Sequence, residues 1–359
     1  MSRPSAQAVW PSKTSAARPG SRAGSRVARV LLGRRVRCSN PDVRSFVVGG
    51  AGFIGSHLTD RLVERGPVTV FDDLSVGKPA FIGAHLSSGA ATLVQGNALE
   101  LTALRTAVAS GGGHDAIFHL AANPEARWGL ERTRLDLDQG TIATYNALEA
   151  ARTCGVRNFV FCSSGTVYGN VAEPCGEMDL GHLPISLYGA SKLAGEAMTA
   201  AYVECFGLHG FICRFGNVVG PRATHGAILD FCKKLKAHPE YLDVLGDGQQ
   251  AKPYLHVIDC VGGILHVLDH ATGEQPAIYN LAPPDWTTVR RIAELCVAAS
   301  PNRGARIEYS GGAQGWPGDV PKSRLDPGKL ADLGYRVRLT SDQAVEAAVS
   351  AIALEVFGG

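Results

Sequence analysis

The sequence predicts an α/β protein: a doubly wound parallel sheet followed by a smaller C-terminal lobe. Three observations carry this. From residue 45 onward, short apolar runs alternate with helical segments, the pattern of a parallel sheet covered on both faces. A glycine run, VVGGAGFIGSHL at 47–58, falls where the first strand turns into the first helix. An acidic pair, Asp72 and Asp73, closes the second strand.

Taken in order, the expected strands are SFVVGG (45–50), VTVFDD (68–73), TLVQGN (92–97), AIFHLA (116–121), NFVFCSS (158–164) and GFICRF (210–215). Each is a short run rich in β-branched or aromatic residues, too continuous in apolarity for a half-exposed strand. Helices are expected over 53–65, 100–109, about 130–154 and 188–206. After 216 the runs become shorter, with Gly and Pro interruptions at GPRATHG, LGDGQQAKP and APPDW. The predicted organisation is therefore a leader over 1–44, a dinucleotide-binding sheet domain over 45–215 and a mainly substrate-binding lobe over 216–359. Some segments of the last part are expected to return to the sheet domain.

The bulk properties narrow the function. The chain has 359 residues, 45% hydrophobic and 19% charged, with a net charge of +2. Residues 1–44 hold nine Arg and one Lys against the single Asp42, which leaves 25 basic and 32 acidic residues in the remainder. The basic excess belongs to the leader, so the composition predicts no nucleic-acid surface. The leader has the Ser/Ala/Arg composition of a transit peptide, and a disordered extension or an early translation start fits it equally well. No stretch reaches the length of a bilayer span. The nine cysteines include no C-x-x-C and no Cys/His cluster at zinc spacing. That predicts a reducing cytoplasm and no metal site.

Gly49, Gly52 and Gly55 form G-x-x-G-x-x-G at the strand–helix junction, with Phe53 and Ile54 opening the helix. Glycine permits the tight turn and lets backbone N–H groups reach a pyrophosphate. Asp72 can accept hydrogen bonds from both ribose hydroxyls and would repel a 2′-phosphate, which favours NAD over NADP. Asp73, Ser75, Gly77 and Lys78 continue that loop in FDDLSVGK. Leu120, Ala121 and Ala122 close the fourth strand in HLAANP, where small side chains would let a cofactor lie against the strand end.

The stretch SLYGASKLAGE places Tyr188 and Lys192 one helical turn apart. Ser164, in CSSGTVYG at the end of the fifth strand, could face the phenol across the crevice. A tyrosine has an unperturbed pKa of about 10. An adjacent ammonium and an oxidised nicotinamide are expected to lower it towards working pH. Phenol, ammonium and hydroxyl then make a proton-transfer device beside a hydride acceptor.

With these motifs assembled, the chain resembles the extended short-chain dehydrogenase/reductase family, and within it the UDP-glucose 4-epimerases. The likeness runs from residue 45 to about 340 through GGAGFIGSHL, FDDLS, HLAANPEAR, SSGTVYG, LPISLYGASKLAGE, RFGNVVGPR, LGDGQQAKPYLHVIDC and WPGDVPKSRLDPGKLADLGY. The resemblance implies a Rossmann fold with NAD as a resident cofactor and a UDP-sugar as substrate. Tyr188 would be the general base and acid, Lys192 the nicotinamide-ribose contact and Ser164 the third catalytic member. Asn97, where an Asp is usual, and Ala98 would lie by the adenine. Arg127 would sit beside the sugar, Asn217 and Lys252 by the diphosphate, and Asp319 by the nucleotide ribose, with Thr166 and Tyr254 completing the substrate set. The implied reaction removes the 4-hydroxyl proton and the C4 hydride, lets the keto sugar turn over, and returns the hydride to its other face.

Three departures bear on this. Gly140 stands where the family places an Asn, Lys252 replaces an Arg that would hold phosphate bidentately, and Pro253 replaces an acidic residue. The dehydratases and decarboxylases of the same scaffold carry carboxylates directly before VYG, where this chain has Gly165 and Thr166. Epimerisation of a UDP-hexuronate or a UDP-N-acetylhexosamine stays open, as does a non-catalytic NAD-sensing role, for which loss of the Tyr or the Lys would be expected. The long helices over 130–154 and 188–206 resemble those that pair two subunits in this family, which implies a homodimer.

Overall fold

The computed structural model describes residues 43–171, 173–179 and 181–358; all but the last two residues of the predicted leader lie outside them. Six strands form where the apolar runs predict them: Ser45–Val48 (β1), Val68–Asp72 (β2), Ala91–Gln95 (β3), Ala116–His119 (β4), Asn158–Ser164 (β5) and His209–Phe215 (β6). Short strands follow at Asn217–Val219 (β7), Tyr241–Val244 (β8), Ala251–Lys252 (β9), Tyr254–His256 (β10), Ala277–Leu281 (β11), Thr287–Thr288 (β12) and Arg306–Tyr309 (β13).

The central sheet is seven-stranded and parallel, in the order β11-β6-β5-β4-β1-β2-β3. Its register explains the position of the site. Val48 pairs with both Phe71 and His119, and His119 pairs with Phe161. The carboxyl ends of β1, β2, β4 and β5 therefore finish along one edge. The order reverses direction at β1/β4, the switch point where such sheets open a crevice.

Both faces are covered. On one, Leu58 and Leu62 of the helix Phe53–Leu62 share a buried cluster with Val261, Ile264 and Leu268 of the helix Val257–His270. On the other, Leu104 and Val108 pack with Ala147, Leu148 and Ala151 around Phe46, Phe159 and Phe161. The chain after 216 is shared between two places. β11 and the helix Val257–His270 complete the sheet domain. The helices Ala227–Ala237, Val289–Ala299 and Ser341–Phe357 build a separate apolar core with β8.

The helix expected over 130–154 is not continuous. The chain forms short helices at Trp128–Glu131 and Arg134–Asp136, a π turn at Leu137–Ile142, and a regular helix only over Ala143–Thr153. The chain leaves helical geometry at Arg132, and Gly140 lies in the π turn. That glycine is pressed against the helix Leu187–Phe206 so closely that an added Cβ would meet the Ser191 Cβ at 2.6 Å. The wide π turn accommodates that approach. Among the described residues no helix is long and apolar enough to cross a membrane, and no group of three His, Cys, Asp or Glu is arranged to hold a metal ion.

Candidate active site

The carboxyl edge of the sheet opens into a cleft of about 470 Å3. Its floor is the turn after β1. Gly49 has φ +84°, and a Cβ there would lie 2.7 Å from the Ala121 backbone nitrogen. Gly55 has no room for a Cβ against the Gly49 carbonyl. The helix Phe53–Leu62 starts at Gly52 with no side-chain cap, so its first N–H groups face the cleft as an anion cradle. Asp72 is buried, with Oδ2 accepting from the Ala51 N–H and Oδ1 from the Leu74 N–H, both at 2.9 Å. These bonds fix the carboxylate while leaving lone pairs for a ligand. Burial raises its pKa, and the two N–H groups oppose that shift.

Gly49, Gly52, Phe53, Ile54, Gly55, Asp72, Asp73, Ser75, Gly77, Asn97, Ala98, Leu120, Ala121, Ala122, Tyr188 and Lys192 all line this cleft. Lys78 does not. Its N–H donates to the Ala51 carbonyl at 2.9 Å and its ammonium lies 5.5 Å from the Phe81 ring centre. A lysine in a turn can contribute backbone geometry while its charge points elsewhere.

A second cleft, about 380 Å3, is lined by Arg127, Ser164, Thr166, Tyr188, Asn217, Lys252, Tyr254 and Asp319. Residues from β5, β7, β9 and β10 and from the loop 315–323 meet here. Lys252 Nζ donates to Asp319 Oδ1 at 2.6 Å, tying β9 to that loop. The two clefts share Phe53, Ile54, Pro124, Ser163, Tyr188, Phe215 and His225. Tyr188 is therefore at their junction.

The charges at the junction differ from the sequence expectation. Burial pushes the Tyr188 phenol up to about 12, and the Asp136 carboxylate adds to this, while the Ser164 hydroxyl acts in the opposite sense. Lys192 stands one helical turn away, its ammonium 5.7 Å from the Tyr188 ring centre. Its ammonium is itself pushed down to about 8 by burial, donates to the Cys162 carbonyl at 2.8 Å, and lies 5.2 Å from the Phe161 ring centre. Spacing placed the two groups on one helical turn but could not report how far both are desolvated. His119 at the end of β4 is held neutral, its pKa pushed down to about 3 by burial and then by the Lys192 charge.

Several residues that shape this junction were not singled out from sequence. Asp136, 1% exposed, accepts from Asn123 Nδ2 at 3.0 Å, and its other oxygen has no partner among the described residues. Below the junction lies a buried ion pair. Arg214 of β6 donates Nε to Glu196 Oε1 at 2.8 Å and Nη2 to Oε2 at 2.6 Å. Its Nη1 reaches the Tyr168 hydroxyl, which donates to Asn280 Oδ1 of β11 at 2.7 Å. Ser163, beside the catalytic candidate Ser164, donates to Glu196. This network ties β5, β6, β11 and the helix Leu187–Phe206 together under the site.

Comparison with known proteins follows from this geometry. The model of the NAD dependent epimerase/dehydratase family matches residues 45–282. The chain belongs to that family. An uncharacterised UDP-glucose epimerase of Bacillus subtilis is 32% identical over 294 residues, covering 77% of this chain and 88% of the relative. A crystal structure of a UDP-galactose 4-epimerase superposes with a TM-score of 0.77 at 37% identity, covering 88% of this chain and all of that one. The Thermus thermophilus UDP-glucose 4-epimerase, solved as a complex with NAD, gives 0.76 at 28% identity, covering 86% and 99%. The lining of the first cleft fits the NAD of that family: its glycine turn has no room for a Cβ, the uncapped helix N-terminus would suit a pyrophosphate, and Asp72 would suit ribose hydroxyls.

Proposed function

We propose that this protein is an NAD-dependent nucleotide-sugar 4-epimerase that interconverts UDP-glucose and UDP-galactose. The observation that carries the reading is that Tyr188 lines both clefts, with Ser164 and Lys192 beside it. NAD in the first cleft supplies a reversible hydride acceptor. Its adenosine would be held by Asp72, Asp73, Ser75, Asn97 and Ala98, and its pyrophosphate by the turn at Gly49–Gly55. Tyr188 takes the proton of the sugar 4-hydroxyl and later returns it. Ser164 shares that proton, and Lys192 holds the nicotinamide ribose. A cationic nicotinamide opposite the phenol would offset the burial that keeps Tyr188 protonated in the free protein.

In the second cleft, Asn217, Lys252 and Tyr254 would hold the diphosphate, Asp319 the ribose, and Arg127 and Thr166 the sugar side. Lys252 already has a carboxylate partner, so binding exchanges Asp319 for phosphate on the ammonium. The absence of carboxylates at Gly165 and Thr166 argues against dehydration or decarboxylation. The purified protein, with UDP-galactose and proton NMR of the products, is expected to produce UDP-glucose. Inertness towards every UDP-hexose would overturn the assignment.

Exposed Leu137, Ile142, Tyr145 and Phe206 lie on the π turn and helices at 137–153 and 187–206. This apolar face supports a homodimer through those helices, for which light scattering should give twice the chain mass. The described cysteines are all free thiols, which fits a cytoplasmic protein.

A further inference from the structure

The loop after β4 puts a carboxylate, Glu125, on the wall of the second cleft. Pro124 lines both clefts, so the chain that follows it borders the place where the reacting sugar must sit. Glu125 and Arg127 line the substrate cleft next to it. Arg127 Nε donates to Glu125 Oε1 at 3.0 Å and Nη2 donates to Oε2 at 2.9 Å. The guanidinium is thus already occupied by a bidentate partner. Its pKa is raised first by those hydrogen bonds and further by the charges of Asp230 and Asp319.

The remaining charges tell the same story. Lys234 pairs with Asp230 at 3.2 Å and Lys252 with Asp319 at 2.6 Å. Three cations of this cleft therefore face three carboxylates. The diphosphate end can release Lys252 by displacing Asp319. A carboxylate on C5 of a sugar lying here would meet the Glu125 charge, whether it displaced Glu125 or took the remaining N–H groups of Arg127. A hydroxymethyl group has no such conflict and can donate a hydrogen bond to Glu125.

We infer that Glu125, by occupying Arg127, makes the site select UDP-sugars that are neutral at C6 and reject UDP-hexuronates. This rests on the epimerase reading above and narrows its substrate class. Juxtaposed like charges discriminate strongly.

The test compares kcat/KM for UDP-galactose and UDP-galacturonate in wild type and Glu125→Gln. Wild type is expected to prefer the neutral sugar by about a hundredfold or more, and Glu125→Gln to narrow that preference roughly tenfold or more, chiefly by lowering KM for the uronate. A merely structural role would reduce both substrates alike and leave the ratio fixed. An unchanged ratio, or equal use of both sugars by wild type, overturns the inference while the epimerase assignment stands. Failure to invert C4 of either sugar overturns the assignment and the inference with it. A measurement on wild type needs no variant: UDP-glucuronate should inhibit turnover of UDP-galactose no better than UDP alone. Inhibition tenfold stronger than UDP would overturn the proposal.

Discussion

The first cleft is walled by the ends of strands that share one register, whereas the second is walled by two-stranded fragments and the loops between them. β7 pairs only with β10, β9 with β12 and β8 with β13. In the first cleft a residue's place follows from its distance to a strand end. In the second it follows from partners far along the chain, such as Lys252 and Asp319, 67 residues apart. Local regularity shapes the first cleft, and long-range pairing shapes the second. Tyr188 joins the two.

Removing that joint should have the largest effect. Tyr188→Phe is expected to lower kcat by about 10²- to 10⁴-fold while NAD, followed by its absorbance, stays bound through gel filtration. Loss of NAD together with activity would mean that Tyr188 belongs structurally to the first cleft alone.

The ion pair beneath both clefts comes next. Glu196→Gln leaves the fully buried Arg214 guanidinium without its counter-charge. Stability should fall by about 3–5 kcal/mol, measured by denaturant unfolding. A loss below about 1 kcal/mol would show that the carboxyl edge is held by the sheet ladder itself.

Lys192 tests the cofactor side through pH. Its folded-state pKa of about 8 lies below the ordinary 10.5. The cost of burying its charge is therefore fully present below pH 8 and disappears as pH rises past the unfolded value. In cofactor-free protein, Lys192→Met should be more stable than wild type at pH 7 by up to about 3 kcal/mol, with the gap closing by pH 10.5. Catalysis should be lost at both pH values. A gap independent of pH would mean that the ammonium is solvated.

The smallest effects should fall on the substrate cleft, where single contacts are partial. Lys252→Met is expected to raise the KM for UDP-galactose roughly ten- to a hundredfold with little change in NAD retention. Asp136→Asn removes a negative charge near the phenol. The rise of the pH–rate profile should then move to lower pH.

The two clefts were also unequally legible in the sequence. The six strands, the glycine turn and Asp72 could be placed because each is a local pattern: an apolar run, a spacing, an acid at a strand end. Tyr188 and Lys192 could be paired because four residues make one helical turn. The π turn at Leu137–Ile142 could not, because Gly140 there meets Ser191 from another helix. Glu125 and His225 stood inside the quoted stretches HLAANPEAR and GPRATHG without a role, since nothing in their local spacing says that they face a cavity.

Hydrophobic periodicity and glycine placement determined the doubly wound sheet and its glycine-lined edge, and helical spacing paired Tyr188 with Lys192, because these depend on neighbours along the chain. Tertiary structure alone decided the desolvation of Tyr188 and Lys192, the pairing of Lys252 with Asp319, and the Arg214–Glu196 pair beneath them. Desolvation and pairing are set by whatever packs around a group, and here the partners come from other strands, helices and loops.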